Sequence, residues 1–183
     1  MTAEAGLEHN PLITVQALQA LHEQSYSWAL SCCRYDRGEA ADVLQQSYVH
    51  LIEGSARFGG DSTLKTWLFA VIRNVARQRA RRHLLWKRWF TAESGSQIDT
   101  GAEATIADAK HDVERRERRR RVLDALAGLS ARQRETLELT FYRDLTIEQA
   151  ARVMGISVGA ARVHYERGKR LLAARLERDL IDD

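Results

Sequence analysis

The sequence predicts an all-α protein built from two small helical domains joined by a flexible linker. Three observations predict it. Apolar residues recur at helical spacing from about residue 12 to residue 90, and again after residue 112. Pro11 is the single proline in 183 residues. Between the two periodic stretches, residues 91–111 are rich in Ser, Gly, Thr, Ala and acids and poor in large apolar residues, which is a linker composition. A hydrophobic content of 44% with 29% charged residues suits packed cores rather than disorder.

Each element follows from its residues. Residues 1–11 read as loose. From about Leu12 to Cys33, Leu18, Leu21, Trp28, Ala29 and Cys32 recur at helical spacing and predict a first helix. Tyr35 to Gly38 reads as a turn, and Glu39 to about Glu53 as a second amphipathic helix with Val43, Leu44, Tyr48, Leu51 and Ile52 near one face. Gly54-Ser55 weakens that helix, and Phe58-Gly-Gly-Asp-Ser62 is a loop signal. Thr63 to about Leu85 is then a long helix that turns Trp67, Leu68, Val71, Ile72, Val75 and Ala76 inward. The second domain restarts near Asp112 with a helix carrying Val122, Leu123, Leu126 and Leu129. Ser130-Ala-Arg-Gln133 and Thr146-Ile-Glu-Gln149 are capping boxes, each pairing a hydroxyl with a glutamine three residues on. The helix opened by the first carries Leu137, Leu139 and Phe141.

The net charge of +3 says little, but its distribution is informative. Residues 1–61 carry −5, residues 62–92 carry +8 without a single acid, residues 93–111 carry −3, and residues 112–183 carry +3. A thirty-one-residue stretch with eight cations and no carboxylate is an electrostatic footprint for a polyanion, nucleic acid in particular. The alternative is a solvated basic face. Cys32 and Cys33 are neighbours on a helix, where side chains diverge by about 100°, so they read as small core residues rather than a disulfide. The six histidines are scattered singly, and no cofactor or metal is expected. No stretch approaches the roughly 18 to 20 apolar residues that span a bilayer. The N-terminus also lacks a basic start followed by an apolar run, so a cytoplasmic chain with no membrane partner is expected. Nothing calls for more than a monomer.

The most specific local pattern is Leu145 to Leu172. Thr146 caps a short helix bearing Ile147, Ala150, Ala151 and Met154, and Gly155 can end it in the left-handed conformation. Ile156 plugs the corner and Ser157 caps the next helix, on which Val158, Ala161, Tyr165, Gly168 and Leu172 form one stripe. Small residues at the crossing and a tight turn are what a helix-turn-helix needs to offer its second helix to the major groove. Ser157, Gly159 and Ala160 would approach backbone and base edges; Arg162, His164 and Arg167 would reach bases or phosphates. An ordinary helical hairpin shares the spacing.

With these motifs in order, the chain resembles the extracytoplasmic-function (ECF) group of bacterial RNA polymerase sigma factors, of the sigma-70 family. Leu129-Ser-Ala-Arg-Gln-Arg-Glu135, Leu145-Thr-Ile-Glu-Gln-Ala-Ala151 and Met154-Gly-Ile-Ser-Val-Gly-Ala160 resemble that family's region 4. Asp42-Val-Leu-Gln-Gln46, Phe58-Gly-Gly-Asp-Ser62, Lys65-Thr-Trp-Leu68 and Ile72-Arg-Asn74 resemble its region 2. The resemblance implies a region 2 over residues 12–90 for polymerase docking and −10 recognition, a linker at 91–111, and a region 4 over 112–180 for −35 recognition. It implies that Asp42, Gln45 and Gln46 dock on the clamp coiled coil of the largest subunit of core RNA polymerase, and that region 4 meets the β flap. Phe58, Gly60, Ser62, Lys65, Arg73, Asn74, Arg77 and Arg81 would capture an unstacked −10 base and its phosphates, a task for aromatic and polar walls with nearby cations. Ser157, Gly159, Ala160, Arg162, Val163, His164, Arg167 and Lys169 would contact the −35 element. An anti-sigma protein is an implied partner besides promoter DNA.

Three positions depart from the family pattern. Ala41 stands where a glutamate is common, Gln46 replaces a frequent glutamate, and Gln78 sits where the family often has aspartate. The first two thin the acidic docking face. The third extends the basic stretch and predicts promoter affinity that falls unusually steeply with salt. The alternative function is a two-domain helix-turn-helix regulator acting on duplex DNA without polymerase, although residues 1–90 show neither a ligand pocket nor a receiver pattern. An enzyme is not expected, because the basic block has no carboxylate cluster and no nucleophile motif.

Overall fold

The computed structural model describes residues 13–90, 125–126 and 128–181, without the side chains of 85–90 and 178–181. The predicted N-terminal tail, the linker, and most of the helix bearing Val122 and Leu123 lie outside the described residues. Among those described there are six helices: α1 (Val15–Cys32), α2 (Arg37–Ile52), α3 (Leu64–Phe90), α4 (Ala131–Phe141), α5 (Ile147–Met154) and α6 (Val158–Ile181). The all-α expectation holds.

Local chemistry sets the helix ends. Thr14 caps α1 by accepting from the Ala17 N–H at 3.1 Å. The next turn falls at Cys33–Tyr35, two residues earlier than the sequence reading placed it, with Arg34 and Tyr35 both left-handed (φ 55° and 67°). The cause is Asp36, whose carboxylate accepts from the Glu39 N–H at 2.9 Å and draws Arg37 and Gly38 into the first turn of α2. Thr63 begins α3, its Oγ1 accepting from the Thr66 N–H at 3.2 Å. Both predicted capping boxes are closed in both directions, Ser130 with Gln133 and Thr146 with Gln149.

The first three helices pack around Trp28, which is 1% exposed. Its indole N–H donates to the Phe69 carbonyl at 3.0 Å, and its ring stacks on that of Phe69 at 5.7 Å. Leu68, Ile72, Val75 and Ala76 are buried as expected, whereas Trp67 and Val71 are half-buried. Phe69 is fully buried although no single helical stripe predicts it. The reason is that α3 packs against α1 and α2 on one side and α5 on another, so its buried arc is wider than one stripe. Cys32 and Cys33 are free, as expected, and lie half-buried against the apolar core. Burial pushes the Cys33 thiol up to about 11 and raises Cys32 well above its ordinary value.

In the second module, α4 and α6 cross closely at Gly168. A Cβ there would lie 3.2 Å from Gln133 Cβ and from Leu137 Cδ1. Leu137 and Leu139 are buried, whereas Phe141 is 57% exposed and stacks on Tyr165 at the surface. The two modules do not stand apart. Leu139, Leu145, Ala150, Val153 and Met154 form one apolar cluster with Trp28, Leu68, Phe69 and Ile72. No helix among the described residues is long and apolar enough to cross a membrane.

Candidate nucleic-acid and polymerase interface

The helix-turn-helix is built as its residues require. Gly155 ends α5 at φ 63° and ψ 42°, a conformation that costs glycine no Cβ clash. The Ile156 N–H returns to the Ala151 carbonyl at 3.1 Å, closing the turn, and Ile156 packs on the shared cluster. Ser157 caps α6, its Oγ accepting from the Ala160 N–H at 3.2 Å. Ala161, wholly buried, lets α5 and α6 approach. These contacts leave Ser157, Gly159, Arg162, Val163, Arg167 and Lys169 exposed, with Ala160 and His164 half-buried beside them. Arg162 lies 3.8 Å from Glu148, whose carboxyl is held below its usual range by its own backbone N–H, by Thr146 and by Arg162. The Lys169 ammonium leans over the Tyr165 ring at 5.9 Å. The outer surface of the start of α6 is thus open, polar and cationic.

On α3 the residues of the basic block divide. Asn74, Arg77, Arg81 and Arg82 are exposed. Lys65 is half-buried, donates to the Arg143 carbonyl at 2.6 Å, and is shifted down by desolvation. Arg73 is 6% exposed and faces the second module, where it meets Glu135 and the Met154 carbonyl. Phe58 is 8% exposed and tilts against Trp67 at 5.3 Å, so its ring fills space under the loop. Gly60, at φ 80°, and Ser62 complete that loop; Gly60 is exposed and Ser62 half-buried. Sequence reasoning brought these residues to one loop and helix, and the structure keeps Asn74, Arg77 and Arg81 on one open face while turning Phe58 and Arg73 inward.

On α2, Asp42, Gln45 and Gln46 line a shallow groove with Val49 and Arg79. Arg79 was not singled out from the sequence, yet it governs the charge of this face. Its guanidinium donates to both oxygens of Glu39, at 2.7 and 3.0 Å, and to Asp42 at 2.9 Å. The hydrogen bonds from Arg79 hold the Glu39 carboxyl below its ordinary range. The acids that Ala41 and Gln46 leave on the face are therefore already partnered. Only the packing of α2 on α3 reveals this, since residues 40 and 37 positions apart carry no local signal of pairing.

Comparison with known proteins agrees with this architecture. Residues 17–84 match the family description "Sigma-70 region 2" and residues 119–172 match "Sigma-70, region 4". The chain is 34% identical over 129 residues to the RNA polymerase sigma factor CarQ of Myxococcus xanthus, covering 70% of each chain. It is 29% identical over 153 residues to the ECF RNA polymerase sigma factor SigC of Mycobacterium tuberculosis, covering 83% of this chain and 78% of that one. Its fold is similar to that of the sigma factor RpoE from Bartonella quintana, solved in complex with the anti-sigma factor NepR. That likeness has a TM-score of 0.59 and 23% identity, over 88% of this chain and 95% of that one. With helices, caps, turn and family models in agreement, this chain belongs to the sigma-70 family of RNA polymerase sigma factors, in its ECF group.

Proposed function

We propose that this chain directs RNA polymerase to promoters by a handoff between its two modules. The observation that carries the reading is the open cationic start of α6, set at its angle by Gly155 and capped by Ser157. Ser157, Gly159, Ala160, Arg162, Val163, His164, Arg167 and Lys169 read −35 duplex through the major groove. Region 2, over residues 12–90, then takes the −10 strand on Asn74, Arg77 and Arg81 with Gly60, Ser62 and Lys65 beside them. Phe58 supports that loop from beneath, and Arg73 joins the surface when the modules part. Asp42, Gln45 and Gln46 dock on the clamp coiled coil, region 4 over residues 112–180 meets the β flap, and residues 91–111 link the two. The polymerase performs the chemistry; this chain supplies recognition. Since RpoE of Bartonella quintana is held by NepR, an anti-sigma protein is a proposed partner here too.

The test is transcription in vitro by core RNA polymerase on genomic fragments, with and without this protein. Initiation at discrete sites that requires the chain supports the reading. Sequence-specific binding to duplex without polymerase, together with no dependent initiation, would overturn it in favour of a duplex-binding regulator. Asp42→Ala with Gln45→Ala should abolish capture of core polymerase while leaving the helical circular dichroism intact.

A further inference from the structure

The three α2 residues proposed to dock on the polymerase differ in what they offer it. Gln45 and Gln46 are neutral, so Asp42 carries the one charge among them. Its side chain is 59% exposed, and solvent alone would leave its carboxylate free to turn between rotamers. Arg79, reaching across from α3, removes that freedom. Its Nε donates to Glu39 Oε1 at 2.7 Å, while Nη2 donates to Glu39 Oε2 at 3.0 Å and to Asp42 Oδ2 at 2.9 Å.

These bonds form a chain of support. The bidentate pair with Glu39 uses two parallel N–H groups and fixes the plane of the guanidinium. Glu39 is anchored in its turn, since it lies in the first turn of α2 and its backbone N–H is the one that Asp36 caps. The remaining N–H of Nη2 then falls on Asp42, three residues further along α2 and so on the same face as Glu39. An ionised carboxylate accepts about four hydrogen bonds, so one from Arg79 leaves Asp42 able to accept from a polymerase donor. Arg79 also lines the shallow groove that Asp42, Gln45, Gln46 and Val49 form, which places the support inside the docking surface.

Two consequences of this arginine oppose each other. Its positive charge lowers the attraction of the face for a cationic partner. Exposed charges are screened over about 8 Å at physiological salt, and their pairwise terms are small. Ordering a side chain before association removes a cost that docking would otherwise carry, and for a single short side chain this is worth about threefold in affinity. With Ala41 and Gln46 leaving Asp42 the one charged docking residue, its orientation outweighs the charge that Arg79 cancels.

We propose that Arg79 is a positioning residue for core-polymerase docking: it holds the Asp42 carboxylate in its docking orientation and strengthens binding through Asp42. The proposal rests on the assignment of Asp42 to the clamp coiled coil.

The experiment measures binding of purified core RNA polymerase to the full chain, labelled with fluorescein at its amino terminus, by anisotropy at about 0.1 and 0.4 M potassium chloride. Arg79→Gln should weaken binding about threefold at both salt concentrations. Arg79→Lys keeps the charge and one donor but loses the fork, and should recover part of the loss. Asp42→Ala should weaken binding on the order of tenfold, and in that background Arg79→Gln should have almost no further effect. Tighter binding by Arg79→Gln overturns the proposal and makes the arginine a brake acting through charge. A loss that vanishes at the higher salt overturns it as well, because orientation is not screened. Equal losses with and without Asp42→Ala also overturn it, since an arginine that touches the polymerase directly or merely supports the fold acts in both backgrounds. If Asp42→Ala binds core polymerase as tightly as wild type, the docking assignment itself fails, whatever Arg79→Gln does.

Discussion

Replacing Arg77, Arg81 and Arg82 together by glutamine should lower the salt dependence of promoter binding by a calculable amount. Each phosphate neutralised contributes about 0.9 to the slope of log affinity against log salt on duplex, and about 0.7 on single strands. The basic block holds eight cations, which taken alone would supply a slope of roughly 6 to 7. In the free chain three of them are partnered internally: Lys65 with the Arg143 carbonyl, Arg73 with Glu135, and Arg79 with Glu39 and Asp42. Arg77, Arg81 and Arg82 remain exposed among the described side chains. Their loss should therefore reduce the slope by about 2 to 3. Between about 50 and 200 mM salt, wild type should lose about 15- to 40-fold more affinity than the triple variant. The assay is fluorescence anisotropy of holoenzyme on a labelled promoter fragment across a potassium chloride series. A slope change near zero would refute the placement of these arginines against phosphate. A triple-variant slope that retains none of the wild-type dependence would refute the premise that the second module contributes its own phosphate contacts.

Two further outcomes follow from local geometry. Gly155→Ala should destabilise the chain by about 1 kcal/mol, because nothing lies within 4 Å of the added Cβ and only the left-handed backbone is penalised. Thermal denaturation should show a fall of about 2 to 4 °C, with Gly155→Asn falling less, and an unchanged midpoint would sink the account of the turn. The second outcome concerns Cys33, whose thiol is pushed up to about 11 by burial. At pH 8 only about 0.1% of it is thiolate, against about a quarter for a free cysteine. Alkylation by iodoacetamide, followed by mass spectrometry, should thus run about two orders of magnitude slower in the folded chain than in urea. It should accelerate about tenfold per pH unit up to pH 10, and equal folded and unfolded rates at pH 8 would contradict the burial.

Much of this protein was legible in its sequence because the signals are local. A capping box needs four consecutive residues, a left-handed glycine needs one, and amphipathic periodicity needs a few turns. Thr146 with Gln149, Gly155 and Ser157 accordingly specified the helix-turn-helix, and the family motifs added the two regions and their order. Where local signals competed, the sequence reading slipped by a residue or two, as at Asp36, whose capping carboxylate outweighed the turn suggested by Gly38. What only the tertiary structure decided is which charges are available. Arg79 reaches back 40 positions to Glu39, Arg73 reaches 62 positions on to Glu135, and Arg143 meets Ser27 across 116. Along the chain an arginine that will face DNA and one that will close on a carboxylate look alike. A long-range ion pair has no sequence period and no fixed spacing. It exists only once two helices have been packed together by apolar residues elsewhere, and that packing turned Arg73 inward while leaving Arg77 and Arg81 on the surface.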